Sequence, residues 1–329
     1  MELLSANHSS YPRIGDDHED QLLRRTLTLW EKGEKQQTEL RAAEDRMTEK
    51  AIAEQVEAGL DLVTDGQIRW PDPVSHLAGK LSGVRIDGLL RFFDTNCYFR
   101  QPVVSRKPLR AGALITDEFR FAIAYSPRPV KAVLTGPYTL ARLSALESGE
   151  AGAFATVLEG YTETLAQEVK ALVAAGAQVI QVEEPGLLRH PEDFAASATS
   201  LAELAKDKGQ ARLGVSVYFG NAAPLFAKLI TLPVDILGLD FTYSPGLLDV
   251  VANTPSGQIL SLGLLDGRNT RLEDAAVVAR QLETFARRAQ PGTVYLTTSC
   301  GLEYLPRDRA RLKLRHLATI RKTFLGGGA

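Results

Sequence analysis

Gly176-Ala177-Gln178-Val179-Ile180-Gln181-Val182-Glu183-Glu184-Pro185 is the stretch that decides the fold. A helical pattern over 151–175 runs into it, and Gly176 stands where a helix C-cap belongs. Residues 179–182, Val-Ile-Gln-Val, are a nearly continuous apolar run, the mark of a short strand covered on both faces. Two acidic residues and a proline then end it, and a second helical pattern follows over 191–206. A buried strand between two helices is the unit of a parallel α/β sheet.

The same unit recurs along the chain. Strands are predicted at 9–14, 61–65, 130–135, 178–182, 211–218, 236–241, 259–265 and 294–298. Helices are predicted at 39–58, 151–175, 191–206, 223–230, 272–289 and 308–324. Eight strands alternating with helices favour a closed (β/α)8 TIM barrel, with an open doubly wound sheet as the competitor. No Gly-x-Gly-x-x-Gly turn follows the first strand, which speaks against a dinucleotide fold. Residues 71–127 exceed one βα unit. Hairpin-like pieces at 80–86, 91–99 and 101–104 and a helix at 116–124 mark an insertion after the second strand, on the active-site side. The whole of 1–329 is expected to be one barrel.

Composition narrows the function classes. The chain has 329 residues, a net charge of −2 and 24 % charged residues, so neither nucleic acid nor an acidic membrane is an expected partner. Arg and Lys gather at 307–322 among Leu314, Leu317, Ile320 and Phe324, which reads as the solvated face of a packed helix. Cys97 and Cys300 are too few for a disulfide framework. The first residues lack the basic and apolar segments of a signal peptide, no apolar run approaches membrane length, and a cytoplasmic location is expected. The closing Gly326-Gly327-Gly328-Ala329 is expected to fray.

In a barrel the residues at the C-terminal strand ends face the active site. Acidic residues finish four of these strands: Asp65, Glu183 with Glu184, Asp240 and Asp266. Carboxylates converging on one rim repel each other unless a cation, a metal or arginines answer them. Glu184 is read either as a proton donor or as the cap of the helix beyond Pro185. Cys300, at the eighth strand end, is read either as a metal-binding thiolate or as packing. The five histidines are scattered, with only His8 and His76 near the rim, and no His-x-Cys or His-x-x-x-His pair exists.

Six motifs then carry a resemblance over nearly the whole chain. They are Ser9-Ser10-Tyr11-Pro12-Arg13, Val63-Thr64-Asp65-Gly66-Gln67, Asn96-Cys97-Tyr98-Phe99-Arg100-Gln101-Pro102, Leu134-Thr135-Gly136-Pro137-Tyr138-Thr139-Leu140, Val179-Ile180-Gln181-Val182-Glu183-Glu184-Pro185 and Ser299-Cys300-Gly301-Leu302. In this order they resemble the catalytic barrel of cobalamin-independent methionine synthase, including its single-barrel forms. The resemblance implies transfer of a methyl group to the sulfur of homocysteine or a related small thiol activated by zinc. At the positions of the zinc ligands stand Ser216 and Tyr218, in place of His and Cys, then Asp240 in place of Glu, and Cys300. A hydroxyl and a phenol are not usual zinc ligands, and two good ones are too few. Gln67 replaces a Glu that helps hold the amino acid, and the tryptophan that stacks on folate falls near Leu143. The donor is therefore methyltetrahydrofolate or a methylated corrinoid, the latter implying a corrinoid protein as partner. Cys300, Asp240 and Glu184 are expected to carry the chemistry. Ser10, Gln67, Glu183, Asp65, Asp266 and Arg268 are expected at the substrate, with Glu183 facing its α-ammonium. Two alternatives stay open: a metal-free acid–base enzyme using Asp65, Glu183, Glu184 and Asp266 with Arg69 or Arg268, and a non-catalytic amino-acid-binding homologue.

Overall fold

The structure, a computed structural model, describes residues 1–147 and 154–326. Its strands in chain order are β1 (Glu2–Ser5), β2 (Leu81–Arg91), β3 (Tyr98–Arg110), β4 (Lys131–Thr135), β5 (Ala145–Leu146), β6 (Val179–Glu183), β7 (Arg212–Val217), β8 (Ile236–Asp240), β9 (Ile259–Leu265) and β10 (Thr293–Thr298). Seven of them form one curled parallel sheet in the order β1-β10-β9-β8-β7-β6-β4. The gap between β1 and β4 is bridged at two points, Ala6 with Leu62 and Val63 with Val130, so the second barrel strand is reduced to one residue pair on each side.

Two predicted strands are corrected here. The first strand is Glu2–Ser5, not 9–14, because Pro12 has no N–H for a ladder and 9–14 instead runs over the barrel mouth. The second, predicted over 61–65, stops at Val63: the Thr64 hydroxyl takes the Gly66 N–H, the Asp65 carboxylate takes the Gln67 N–H, and Gly66 and Gln67 both turn to positive φ. The helix predicted from residue 151 is described over Phe154–Ala174, with its first residues outside the described ones. A helix at Leu22–Glu31 and another at Leu247–Asn253 were not predicted.

The insertion is a hairpin of two long antiparallel strands, β2 and β3, and the two pieces predicted at 91–99 and 101–104 fall at its turn and within β3. Its turn lies on the strand-end face. Asp94 meets Arg268, after β9, and Arg189, after β6, each at 3.3 Å. Phe92 and Phe93 pack on Phe219.

The last helix, Arg307–Gly326, buries Leu314, Leu317 and Ile320 and exposes Arg309, Arg315 and Lys322 as expected, but two of its basic residues leave that solvated face. Arg307 and Lys313 are fully buried; Arg307 pairs with Glu54 at 3.1 Å and Lys313 with Glu273 at 2.8 Å. Arg307 also donates to the Pro12 carbonyl at 2.8 Å, tying this helix to the loop after β1. Residues 327–329 of the expected fraying tail lie outside the described ones.

The period of two along a strand sorts the barrel residues. Ile180 and Val182 face the helices, whereas Val179, Gln181 and Glu183 face inward. The inward residues run from apolar to polar up the barrel axis. Ala6, Leu62, Val179, Ile236 and Tyr295 form an apolar layer at the N-terminal end. Above it come Lys131, Gln181, Glu183, Ser216, Asp240 and Thr297, all buried. The floor of the candidate site is thus written into the alternation of β4, β6, β7, β8 and β10.

Candidate functional site

Glu183 is the centre of a closed hydrogen-bonded cluster inside the barrel mouth. Its Oε1 lies 3.2 Å from Nδ1 of His8 and accepts from Nε2 of Gln181, also at 3.2 Å, while its Oε2 accepts from the Tyr218 hydroxyl at 3.1 Å. The other ring nitrogen of His8 lies 2.9 Å from Oγ of Ser216, and Nδ1 lies 3.0 Å from Oγ of Ser9. Below them Lys131 donates to Oε1 of Gln181 at 2.6 Å, and burial pushes its ammonium down to about 7 despite the Glu183 charge. Burial would raise the Glu183 carboxyl, but the bond from His8 and its charge, with Ser9 and Tyr218, hold it below the usual range. Ser216 fits because the facing residue is Gly238, where a Cβ would stand 2.8 Å from Oγ.

The remaining acidic strand ends are each answered locally. Asp240 is fully buried; its Oδ1 accepts from the amides of Thr242 and Tyr243 and from the Thr242 hydroxyl, at 2.7–3.1 Å. Burial nonetheless raises its pKa. Glu184 accepts from the Tyr138 amide at 3.0 Å, the Thr139 amide at 2.8 Å and the Thr139 hydroxyl at 2.6 Å. It caps the helix Pro137–Leu143 on the neighbouring strand, not the helix beyond Pro185, and burial pushes it up to about 7. Asp65 holds the Gln67 amide and is raised to about 6 by burial and then by Glu118. Asp266 accepts from the Arg268 amide, while the Arg268 guanidinium reaches Asp94 and lies over Phe219 and Tyr243.

Cys300 is fully buried at the end of β10, and its thiol donates to the Gly301 carbonyl at 3.4 Å. Burial first, then the carboxylates Glu303 and Asp240, push that thiol well above its ordinary value. Such a group is protonated at neutral pH.

These residues do not fit the zinc that the family resemblance implies. Ser216 is bonded to His8, Tyr218 to Glu183 and Asp240 to its own loop, which leaves Cys300 as the one thiol among the four positions. Among the described residues no group of three or more His, Cys, Asp or Glu stands in a metal-holding arrangement.

Beside the cluster lies a cavity of about 320 Å³ between three loops, the size of small-ligand sites. Ser10 and Arg13 come from the loop after β1, Gln67 and Asp72 from the loop after the second barrel strand, and Glu303 and Tyr304 from the loop after β10. Phe92, Cys97 and Tyr98 of the insertion close it from above. Ser10 and Gln67 are 5 % and 6 % exposed, yet the Ser10 hydroxyl and the Gln67 amide nitrogen have no hydrogen-bond partner. Nor has Oε2 of Glu303. Buried polar atoms without partners are rare in folded proteins and point to a ligand or ordered water. A larger hollow of about 500 Å³, lined by Val251, Gln258 and Pro291 among others, opens at the opposite end of the strands, where barrel residues serve stability.

The structure therefore brings Ser10 and Gln67 together at one cavity and Glu183 into the cluster beside it, while Glu184 and Asp240 serve as caps. Sequence reasoning gave no role to His8 and overlooked Gln181, Lys131 and Glu303. Gln181 carried a signal: it sits two residues before Glu183 and so shares its inward face.

Comparison with known proteins agrees with this geometry. The family model described as the catalytic domain of cobalamin-independent synthase matches residues 10–323. A methionine synthase of Sulfolobus acidocaldarius is 30 % identical over 309 residues, covering 93 % of this chain and 87 % of the relative. One of Saccharolobus solfataricus is 28 % identical over 310 residues, covering 93 % and 90 %. Among solved structures, a B12-independent methionine synthase from Shewanella sp. W3-18-1, in complex with selenomethionine, superposes with a TM-score of 0.81 at 20 % identity over 99 % of this chain and 100 % of that one. A putative vitamin-B12 independent methionine synthase of Listeria monocytogenes gives a TM-score of 0.74 at 17 % identity, covering 98 % of each chain. Both likenesses are of fold.

Proposed function

Because the chain belongs to the family of the cobalamin-independent synthase catalytic domain, we propose that it transfers a methyl group to the sulfur of homocysteine or a related small thiol. The observation that carries this reading is the closed cavity at which the Ser10 hydroxyl and the Gln67 amide wait unpartnered. Both are positions where the family resemblance puts the amino-acid substrate. The selenomethionine in the Shewanella relative is an amino acid of the product's kind.

Methyl transfer onto sulfur needs the thiol proton removed. At the mouth of this chain the His8 imidazole is held between Oε1 of Glu183 and Oγ of Ser216. Glu183 and Tyr218 fix its ring, and Gln181 and Lys131 fix Glu183 from below. Ser10 and Gln67 position the amino acid, with Asp65 shaping the turn that presents Gln67. The insertion turn over the cavity is latched by Arg268 and Arg189 to Asp94. Cys300 lies buried under the same loop as Glu303 and stays a thiol.

The test is methionine formation by the purified protein from homocysteine, with methyltetrahydrofolate in one arm and methylcobalamin in the other. Activity in either arm that falls at least tenfold in Ser10→Ala supports the reading and names the donor. If neither donor methylates homocysteine but homocysteine or methionine binds in calorimetry, the chain is an amino-acid-binding homologue. No turnover and no binding removes the proposal. One observation favours a second reading, a metal-free acid–base enzyme. Three buried carboxyls, Asp65, Glu184 and Glu303, are held near neutrality at about 6, about 7 and about 7.

A further inference from the structure

The cavity is lined by two carboxyls, and they differ in what they have left to give. Asp72 is saturated: Oδ1 accepts from the amides of Val74 and Ser75 at 2.9 and 2.6 Å, and Oδ2 from the Arg100 amide at 3.1 Å and from the Ser75 hydroxyl. Glu303, whose carboxyl also meets the Tyr304 hydroxyl, keeps Oε2 shut from solvent and unpartnered. That oxygen and the unpartnered Oγ of Ser10 lie close together beside Gly301. A Cβ on Gly301 would stand 2.3 Å from the first and 2.0 Å from the second, so only glycine at 301 lets the two meet. Gln67 faces the same cavity with its own unpartnered nitrogen. Glu183 has no such vacancy, because His8, Gln181 and Tyr218 use both its oxygens.

We propose that Glu303, with the hydroxyl of Ser10, recognises the cationic group of the ligand, a primary ammonium in an amino-acid substrate. This rests on the reading of the cavity as an amino-acid site. It moves ammonium recognition from Glu183, where the family resemblance put it, to a residue five positions beyond the end of β10. An ammonium fits this point chemically. It has three donors and no acceptor, so it can satisfy Oε2 of Glu303 and Oγ of Ser10 together. Trp70, Tyr11 and Tyr98 also line the cavity. Arg13, also in the lining, is the charge on hand for a ligand carboxylate. The negative charge that Gln67 lacks relative to the family is thereby supplied from a different loop. Specificity follows, because a ligand without the cation leaves a buried carboxyl with an unmade bond.

Calorimetry on the full chain tests this with three probes: methionine, 3-(methylthio)propylamine, which lacks the carboxylate, and 4-(methylthio)butanoate, which lacks the ammonium. Wild type is expected to bind methionine and the amine, and to bind the butanoate about 10- to 100-fold more weakly than methionine, the range for one charge-assisted bond. In Glu303→Gln the affinities for methionine and the amine are expected to fall by about the same factor, while that for the butanoate moves less than about threefold. Glu303→Asp should recover part of the loss. Ser10→Ala, which leaves the carboxyl in place, should weaken both cations by about 3- to 10-fold and provides the measurement if Glu303→Gln fails to fold. An amine affinity unchanged in Glu303→Gln, or no amine binding by wild type, overturns the assignment. If the amine binds and depends on Glu303 but methionine does not bind, the assignment stands and the amino-acid reading falls instead.

Discussion

Replacing Glu184 by alanine removes the acceptor for two backbone amides and one hydroxyl in a fully buried place. Each donor left unmade costs about 1–3 kcal/mol, giving roughly 3–9 kcal/mol in gross terms. Part is recovered, because burial raises the Glu184 pKa to about 7 and alanine has no charge to desolvate. That relief is worth about 3 kcal/mol once the pH exceeds the raised value. Subtracting it leaves an expected net loss near pH 7 of about 3 kcal/mol, within a range of about 0–6 kcal/mol, and Glu184→Gln, which keeps one acceptor oxygen, should lose about 1–2 kcal/mol. Gly136 supplies an independent handle. A Cβ there would stand 2.2 Å from Cδ and Oε1 of Glu184, so Gly136→Ala must push the carboxyl off the helix end. The two substitutions break the same bonds, and their costs should fail to add by about 2–3 kcal/mol in a double-mutant cycle. Urea unfolding followed by circular dichroism reads all four proteins. Additive costs would refute the capping assignment and return Glu184 to the candidates for catalysis.

Protein purified without chelators is expected to carry well under one zinc per chain by mass spectrometry, and added zinc should leave its melting temperature unchanged; stoichiometric zinc overturns the misfit argued for Ser216, Tyr218, Asp240 and Cys300. Asp65 has a folded pKa of about 6, above its unfolded value, so its contribution is fully present below about pH 4 and is lost as pH rises to about 6. Asp65→Asn should therefore flatten the fall in stability across that window by roughly 2 kcal/mol, and an unchanged slope in urea midpoints counts against the shift. Glu54→Gln removes the nearer of the two carboxylates that meet the buried Arg307, Asp20 standing at 3.6 Å, and should cost about 1.5–3 kcal/mol in the same unfolding assay, a loss under about 0.5 kcal/mol contradicting the pairing.

The strands were legible wherever both faces are covered. β4, β6, β8 and β10 read as apolar runs because helices lie outside and the filled barrel lies inside. β1 was missed because its alternation lasts only four residues, Glu2 to Ser5, before the polar Asn7-His8-Ser9. The second strand escaped a correct boundary because two bridges, not a ladder, hold it, and side-chain bonds from Thr64 and Asp65 end it. Position at a strand end could be read for Asp240, Glu183 and Glu184, but their employment could not. Whether a carboxylate is free depends on which amides of another loop reach it, as the Tyr138 and Thr139 amides reach Glu184 across 45 or so residues of chain. Glu303 lay beyond the strand-end window, and only its approach to Ser10 over Gly301 draws attention to it.

Acidic strand ends crowding one rim pose an electrostatic problem that a bound metal would solve, and this chain solves it without those ligands. Asp240 is answered by the amides of its own loop, and Glu184 by the N-terminus of a neighbouring helix. Glu183 is answered by His8 and Tyr218. Each charge is quenched by fixed dipoles at hydrogen-bond distance, so mutual repulsion across the mouth is small compared with those local bonds. The exception decides what the mouth can take. Glu303 keeps Oε2 buried without a donor, and burial pushes it up to about 7, so empty it is partly neutral and inexpensive to hold. A cation arriving there restores the charge and the missing bond in one step, so the site discriminates by chemistry as well as by shape.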